Sequence, residues 1–420
     1  MLSRIALISL HASPLDQAGQ RNAGGLNVYV RALSVALARQ DLQVDVFTRR
    51  TDADTPAVVE LAPGARVIQV DAGPLELVPP DDLLPFVPLF TAGVVAFAGV
   101  HGQAYDVVHS HYWLSGLVAL RLRRRWRVPA VHMFHTLAQV KRRVAGLWAA
   151  ADQRRAVLEQ EVLTGMDAIV AANTLEAAQL RRLYDGSGAR IYTIPCGVDL
   201  ALFTPGDRAA ARRALGLPAG VPLVLAAARI EPLKDLGTAV RAVGLLAHHG
   251  LPDAHLVIAG GPVTGRAGAQ EEESLRSLAA QTGLSGRLRM VGAVAQRELP
   301  CYMAAADAVI VPSLYESFGM VALEALACGR PVVASAAGGL QLTVHDGENG
   351  FLAPVGDAAA FADRLAAVLR NPILARHMSL RARRSAEPYS WTAIAERTHC
   401  LYEALVNQPS AVSYQRSASG

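Results

Sequence analysis

At 420 residues the chain is long enough for two ordinary domains, each burying a core of its own. Hydrophobic residues make up 52% and aromatics only 5%, so the apolar content is mostly Ala, Val and Leu, which suits layered α/β packing better than an aromatic-rich β-sandwich. A net charge of +4 gives no sign of a nucleic-acid partner.

The first apolar run, Ile5–Leu10, is too short for a signal peptide and reads as a strand. Gly24–Gln40 follows as a helix, then candidate strands Leu42–Thr48 and Arg66–Val70. Phe86 to Val100 is the longest apolar stretch. It carries Pro88 and falls short of the roughly 20 residues of a membrane span, so it is expected to be a buried helix. Further strands are expected at Val107–His109, Ala130–Phe134, Ala168–Ala171 and Ile191–Ile194. The basic run Arg121, Arg123, Arg124, Arg125, Arg127 reads as a solvated helix end, with contact to an anionic membrane surface or a phosphorylated ligand as the alternative.

The cycle then restarts with strands at Pro222–Ala227, His255–Ala259, Leu288–Val291, Ala308–Val311 and Pro331–Ala334. Strands alternating with helices imply crossover connections, hence two doubly wound, Rossmann-like parallel sheets. Their carboxyl ends are expected to face a cleft. The expected division is 1–196 for an N-terminal acceptor-binding domain and 197–408 for a C-terminal nucleotide-sugar-binding domain. A final helix is expected near 390–405, crossing back to the first domain, and a disordered Ser-rich tail over 409–420. Cys196, Cys301, Cys328 and Cys400 form no C-x-x-C pair, which argues against a zinc site and fits a reducing cytoplasm.

Three segments carry chemistry. Gly24 and Gly25 stand where a strand-fed loop becomes a helix, where a phosphate can approach bare backbone. Neither G-x-G-x-x-G nor a P-loop pattern is present. Arg229 and Lys234 follow the strand Pro222–Ala227, and Lys234 is one of only two lysines in an Arg-rich chain, the other being Lys141. A compact ammonium and a guanidinium there suit a diphosphate leaving group. Finally, Glu316 and Glu324 bracket a helix read over Phe318–Ala327, with Ser317, Phe318 and Gly319 supplying the N–H groups of its start. Helical rise separates the two carboxylates by roughly 10 Å, the reach from a sugar past a diphosphate to a ribose. They read as anchors for the ends of one extended ligand.

Tyr315-Glu316 to Glu324-Ala325, with Gly329-Arg-Pro-Val-Val-Ala334 and Gly347-Glu-Asn-Gly-Phe-Leu352, resembles the E-x7-E region of retaining glycosyltransferase family 4, of GT-B fold. Ala23-Gly-Gly-Leu-Asn-Val-Tyr29, His109-Ser-His-Tyr-Trp-Leu-Ser-Gly116 and Phe134-His-Thr-Leu-Ala-Gln-Val-Lys141 are similar to the branch of sucrose-phosphate synthases and the mycothiol-pathway inositol-phosphate N-acetylglucosaminyltransferase. The resemblance spans residues 3–405. It implies a nucleotide-diphosphate sugar as donor, UDP before GDP, with no further cofactor and no metal. Gly24 and Gly25 would approach the diphosphate, Arg229 and Lys234 would bind it, and Glu324 would hold the ribose. Glu316 and the amides of Ser317, Phe318 and Gly319 would hold the sugar, joined by His135 with Asn27 close by. Tyr112, Thr136 and Arg155 match acceptor-phosphate contacts.

Two departures bear on substrate. Pro80 stands where that branch has a phosphate-binding lysine after Gly73-Pro74, and no Lys or Arg lies between Arg66 and Arg121. A small hydroxylated acceptor without phosphate is therefore expected, taking glucose or N-acetylglucosamine; a sugar-phosphate acceptor and a GDP-mannose donor are the alternatives. Val294 stands near where the mycothiol enzyme offers an Arg to the base, which weakens the case for uracil over guanine.

Other signals are set aside. Asp52-Ala-Asp54 reads as a solvated turn and Glu271–Glu273 as an acidic helix start, while His109 and His111 are expected on opposite faces of their strand. A phosphorylase would need a lysine for pyridoxal phosphate, a binding module would not need Glu316, Glu324, Arg229, Lys234 and His135 together, and an oxidoreductase would carry the missing glycine fingerprint.

Overall fold

The computed structural model describes residues 2–16, 24–145, 150–185, 188–262 and 266–407; the tail expected at 409–420 lies outside them, as do Asn22 and Ala23. The chain divides into two compact units. One takes the residues up to Leu15, Leu26–Ile194 and the chain from Trp391; the other takes Asp16–Gly25 and Pro195–Ser390.

The first unit holds β1 (Arg4–Ile8), β2 (Gln43–Arg49), β3 (Val58–Ala62), β4 (Ala65–Val70), β5 (Val107–His111), β6 (Ala130–Met133), β7 (Ala168–Ala171) and β8 (Ile191–Thr193). They form one sheet in the order β3-β4-β2-β1-β5-β6-β7-β8. It is parallel except for β3, which runs antiparallel to β4 at the edge. The second unit holds β9 (Leu223–Ala227), β10 (His255–Ala259), β11 (Leu288–Met290), β12 (Ala308–Val311), β13 (Val332–Ser335) and β14 (Gly350–Ala353), in the order β11-β10-β9-β12-β13-β14 and all parallel. The central strands are buried on both faces, which is why they read as unbroken Ala, Val, Ile and Leu runs. β3 and β14 are absent from the sequence reading.

Three expectations need correction. The helix Val87–Val100 buries one face only, through Val87, Phe90, Val94 and Ala98, while Leu89 and Val100 stand exposed. Glu271–Glu273 lies beyond the first turn of the helix Arg266–Gln281. His109 and His111 share a face of β5, their ring centroids 4.4 Å apart, because side chains alternate along a strand and residues two apart point the same way. Asp52 does cap a turn, accepting from Thr55 N at 2.7 Å.

The helix Trp391–Val406 packs on the first unit. Tyr402 Oη and His109 Nδ1 are 2.6 Å apart, and Trp391 meets Tyr29 edge-on with centroids 5.3 Å apart. Tyr402 and His109 are both buried, so Tyr402→Phe leaves the imidazole nitrogen without its partner. We expect it to destabilise the protein by about 1–3 kcal/mol in urea denaturation; an unchanged midpoint would show the hydroxyl to be inert.

Candidate active site

In the second unit the strand order reverses between β9 and β12, the place where open α/β sheets gather ligand-binding loops at their carboxyl ends. The loop after β9 carries Arg229 and the short turn Pro232–Lys234; the loop after β12 carries Ser313 and Glu316. A backbone bond from Leu314 N to Leu233 O, at 2.9 Å, ties the two loops. Lys234 Nζ then donates to Glu316 Oε1 at 2.6 Å, and Ser313 Oγ donates to the same oxygen at 3.0 Å. Glu316 is also held from behind, since Gly339 N donates to its carbonyl at 2.8 Å. Gly338, at φ +50°, permits this approach: a Cβ there would stand 2.0 Å from the Glu316 oxygen.

Arg229 is exposed, with Nη2 3.2 Å from Glu231 Oε1. A Cβ on Gly24 would stand 3.9 Å from Arg229 Nε, and one on Gly25 3.3 Å from Met320 Sδ. The two glycines thus lie beside the cation and the helix start.

That helix is Met320–Ala327, not Phe318–Ala327. Gly319 is its cap at φ +90°, where a Cβ would meet Leu340 Cδ2 at 2.5 Å. The N–H groups lacking intrahelical acceptors are therefore those of Gly319 to Ala322, so Ser317 and Phe318 precede the helix start instead of forming it. Only part of the stretch from Glu316 to Glu324 is helical, and a separation computed from helical rise does not apply. Glu324 is buried on this helix. Burial pushes its carboxyl up to about 7, opposed by a 3.4 Å hydrogen bond from Gln296 Nε2. Val294, half-buried, lies two residues before Gln296 in the loop that follows β11.

In the first unit the three residues matched to an acceptor site meet around one guanidinium. Arg155 donates from Nη1 to Tyr112 Oη at 3.1 Å, and from Nη2 to Thr136 O at 2.8 Å and Thr136 Oγ1 at 2.9 Å. Its Nε donates to Glu159 Oε1 at 2.7 Å. Glu159, fully buried, also accepts from Tyr184 Oη and from Ala138 N. Burial of Arg155 works against its charge, but Tyr112 and Glu159 outweigh that and raise its pKa. Tyr112 is itself raised, by burial first, against the pull of Arg155 and with help from the Asp81 carboxylate.

Both Tyr112 (φ +73°) and His135 (φ +63°) adopt left-handed backbone just beyond strand ends. Such strain in non-glycine residues gathers at functional sites. His135 is half-buried beside His111, with His135 Nε2 and His111 Nδ1 3.1 Å apart. Burial lowers its pKa to about 3, with His109 and His11 adding to the effect. Asn27 is buried and donates to Ser13 O at 2.8 Å, in the loop after β1.

Sequence reasoning missed Ser313, Gln296, Glu159 and His111. Glu159 had a signal, since it stands four residues after Arg155 on one helix. Gln296 had none, because its partner Glu324 lies 28 residues on, on the helix Met320–Ala327, while Ser313, three residues before Glu316 in one loop, read only as turn chemistry.

Two doubly wound α/β units, with charged and polar side chains at strand carboxyl ends, define a GT-B-type glycosyltransferase. Family models match in succession: Glycosyltransferase Family 4 over residues 23–202 and Glycosyl transferases group 1 over 207–385. The chain is 42% identical to the D-inositol 3-phosphate glycosyltransferase of Saccharomonospora viridis, over 95% of this chain and 93% of the relative. It is 43% identical to that of Frankia alni, over 92% and 96%. The sucrose-phosphate synthase of Thermosynechococcus elongatus superposes with a TM-score of 0.88 at 38% identity, covering 96% of this chain and 99% of that one. The chain therefore belongs to glycosyltransferase family 4, in the branch of these enzymes. Anabaena HepE, solved with UDP and glucose, shares the fold at a TM-score of 0.75 and 21% identity, over 96% and 100% of the two chains. No helix among the described residues is long and apolar enough to cross a membrane.

Proposed function

We propose that the chain is a retaining hexosyltransferase that moves glucose or N-acetylglucosamine from a UDP-sugar to a small hydroxylated acceptor without phosphate. The carrying observation is the Lys234–Glu316 pair at the β9/β12 switch point, with Arg229 on the same loop as Lys234. Lys234 and Arg229 bind the diphosphate, Glu324 the ribose, and Glu316 and the helix start the sugar. His135 contacts the transferred sugar. The acceptor hydroxyl attacks the anomeric carbon on the face the diphosphate leaves. The anomeric bond to the diphosphate oxygen breaks, that oxygen takes the acceptor proton, and the cations and backbone N–H groups stabilise its charge.

The acceptor assignment rests on charge. Arg155 already balances Glu159, the chain from 67 to 120 contains no Lys or Arg, and Asp81 acts on Tyr112. A phosphorylated acceptor is the second reading, favoured by the meeting of Tyr112, Thr136 and Arg155 and by the names of the relatives.

Ligand binding to the native state stabilises it by about 2.7 kcal/mol at a hundredfold excess over Kd. UDP is expected to raise the melting temperature and GDP to leave it unchanged. The reverse would point to a GDP-mannose donor. Product assays with plain and phosphorylated polyols then decide the acceptor: turnover confined to phosphorylated ones would overturn the first reading.

A further inference from the structure

His111 and His135 stand at the ends of neighbouring parallel strands. His111 pairs with Met133 in the β5–β6 register, and the chain turns left-handed at His135, two residues on. His135 Nε2 thereby comes within 3.1 Å of His111 Nδ1. Tyr29 meets both imidazoles edge-on, with centroids 5.5 Å from His111 and 5.0 Å from His135. Behind His111 lies the His109 ring, itself bonded to Tyr402.

Both rings are neutral at ordinary pH. Burial lowers each, and the titratable groups acting on them are further histidines: His109, His132 and His135 on His111, and His109 and His11 on His135. A neutral imidazole carries one N–H, so one ring donates across the 3.1 Å contact and the other accepts. If His135 donated, the proton of His111 would sit on Nε2, which is buried and has no hydrogen-bond partner among the described residues. Orphaned buried N–H groups are rare and costly. The opposite direction leaves only a bare nitrogen there.

We propose that His111 is a positioning residue: its Nδ1–H donates to His135 Nε2, fixing the ring of His135 and its protonation on Nδ1. His135 then faces substrate as a hydrogen-bond donor of set orientation. The catalytic consequence rests on the proposed contact between His135 and the transferred sugar; the tautomer itself does not.

Long-range proton–nitrogen spectra of the 15N-labelled full chain at pH 7.5 read the tautomer directly. The expected result is a bare Nε2 and a protonated Nδ1 on His135; a protonated Nε2 would overturn the proposal whatever the kinetics show. With a UDP-sugar and a turned-over acceptor, His111→Leu should lower kcat about tenfold with little change in KM. His111→Asn, whose amide reaches the Nδ1 position, should restore it to within about threefold of wild type. Equal losses in the two variants would mean that His111 only fills space. Unchanged activity in His135→Ala would instead remove the role assigned to His135 and leave the tautomer to the spectra.

Discussion

Lys234→Ala is expected to lower kcat roughly 100- to 1,000-fold, the usual cost of removing one preorganised group that meets developing charge. The side chain stands at the carboxyl end of the second sheet's switch point, and its ammonium has one acidic partner among the described residues, Glu316, at 2.6 Å. Removing the ammonium does not strand that carboxylate, which keeps its hydrogen bond from Ser313 Oγ and stays partly exposed. The stability change should therefore be small, within about 1 kcal/mol by urea denaturation, as for other partly exposed pairs. Lys234→Arg is not expected to rescue, because a planar fork cannot replace a compact point charge between Glu316 and an oxyanion. Arg229→Ala should lose turnover too, with little effect on folding, since the guanidinium is exposed and its acidic partner among the described residues is Glu231, two residues along the chain. Near-normal turnover in Lys234→Ala would remove the donor-site assignment, and a large loss of stability with proportionate loss of activity would make the pair structural.

The alternation of short apolar runs with helical segments made both parallel sheets legible, because strands buried on two faces advertise themselves by composition alone. Where burial is one-sided or absent, that signal fails. β3 is a partly exposed, antiparallel edge strand with an irregular register between Glu60 and Ala62, paired with β4 alone in the sheet. β14 opens on Gly350, which reads as turn chemistry until a parallel neighbour is seen to require it: a Cβ there would stand 2.1 Å from Val332 O. The residues proposed to bind the donor could be picked out together because Arg229, Lys234 and the Glu316–Glu324 stretch fall in two short segments after strands. The histidine cluster could not. Its contacts join β5 to β6 and to Tyr402 almost 300 residues away, and an error in strand periodicity placed His109 and His111 apart. The motif identified His135; the fold alone identified what holds it.

The same cluster makes the first unit acid-labile, and stability is expected to collapse between about pH 6 and pH 5. His109, His111 and His132 are buried in that unit and His11 and His135 half-buried, and burial is the largest cause of lowering in each. His11 falls to about 4, His109 and His135 to about 3, and His111 and His132 well below the ordinary value. In the unfolded chain all five titrate near 6.5. The stabilisation they reflect is present in full above that pH and drains away as pH falls toward the folded values, because only the unfolded state takes up the protons. Each histidine steepens the slope by up to about 1.4 kcal/mol per pH unit, against a total stability of about 5–15 kcal/mol for a typical protein. Glu176, in the same unit, acts in the other sense. Burial raises it to about 7, so between about 4.5 and 7 the native state holds a proton that the unfolded chain has released, and acid favours folding there. Glu324, in the second unit, is raised by burial in the same way, and two such groups cannot offset five. Urea midpoints measured from pH 7.5 to 5 should yield a net uptake of at least about two protons on unfolding below pH 6, and a midpoint independent of pH down to 5 would show that the imidazoles are hydrated and titrate normally. The acid limb of the activity profile should then coincide with loss of structure. An activity that falls at a pH where the fold is intact would instead require a catalytic group titrating within the site, and Glu324, raised to about 7 and buried where the ribose is proposed to bind, is the side chain that would have to answer for it.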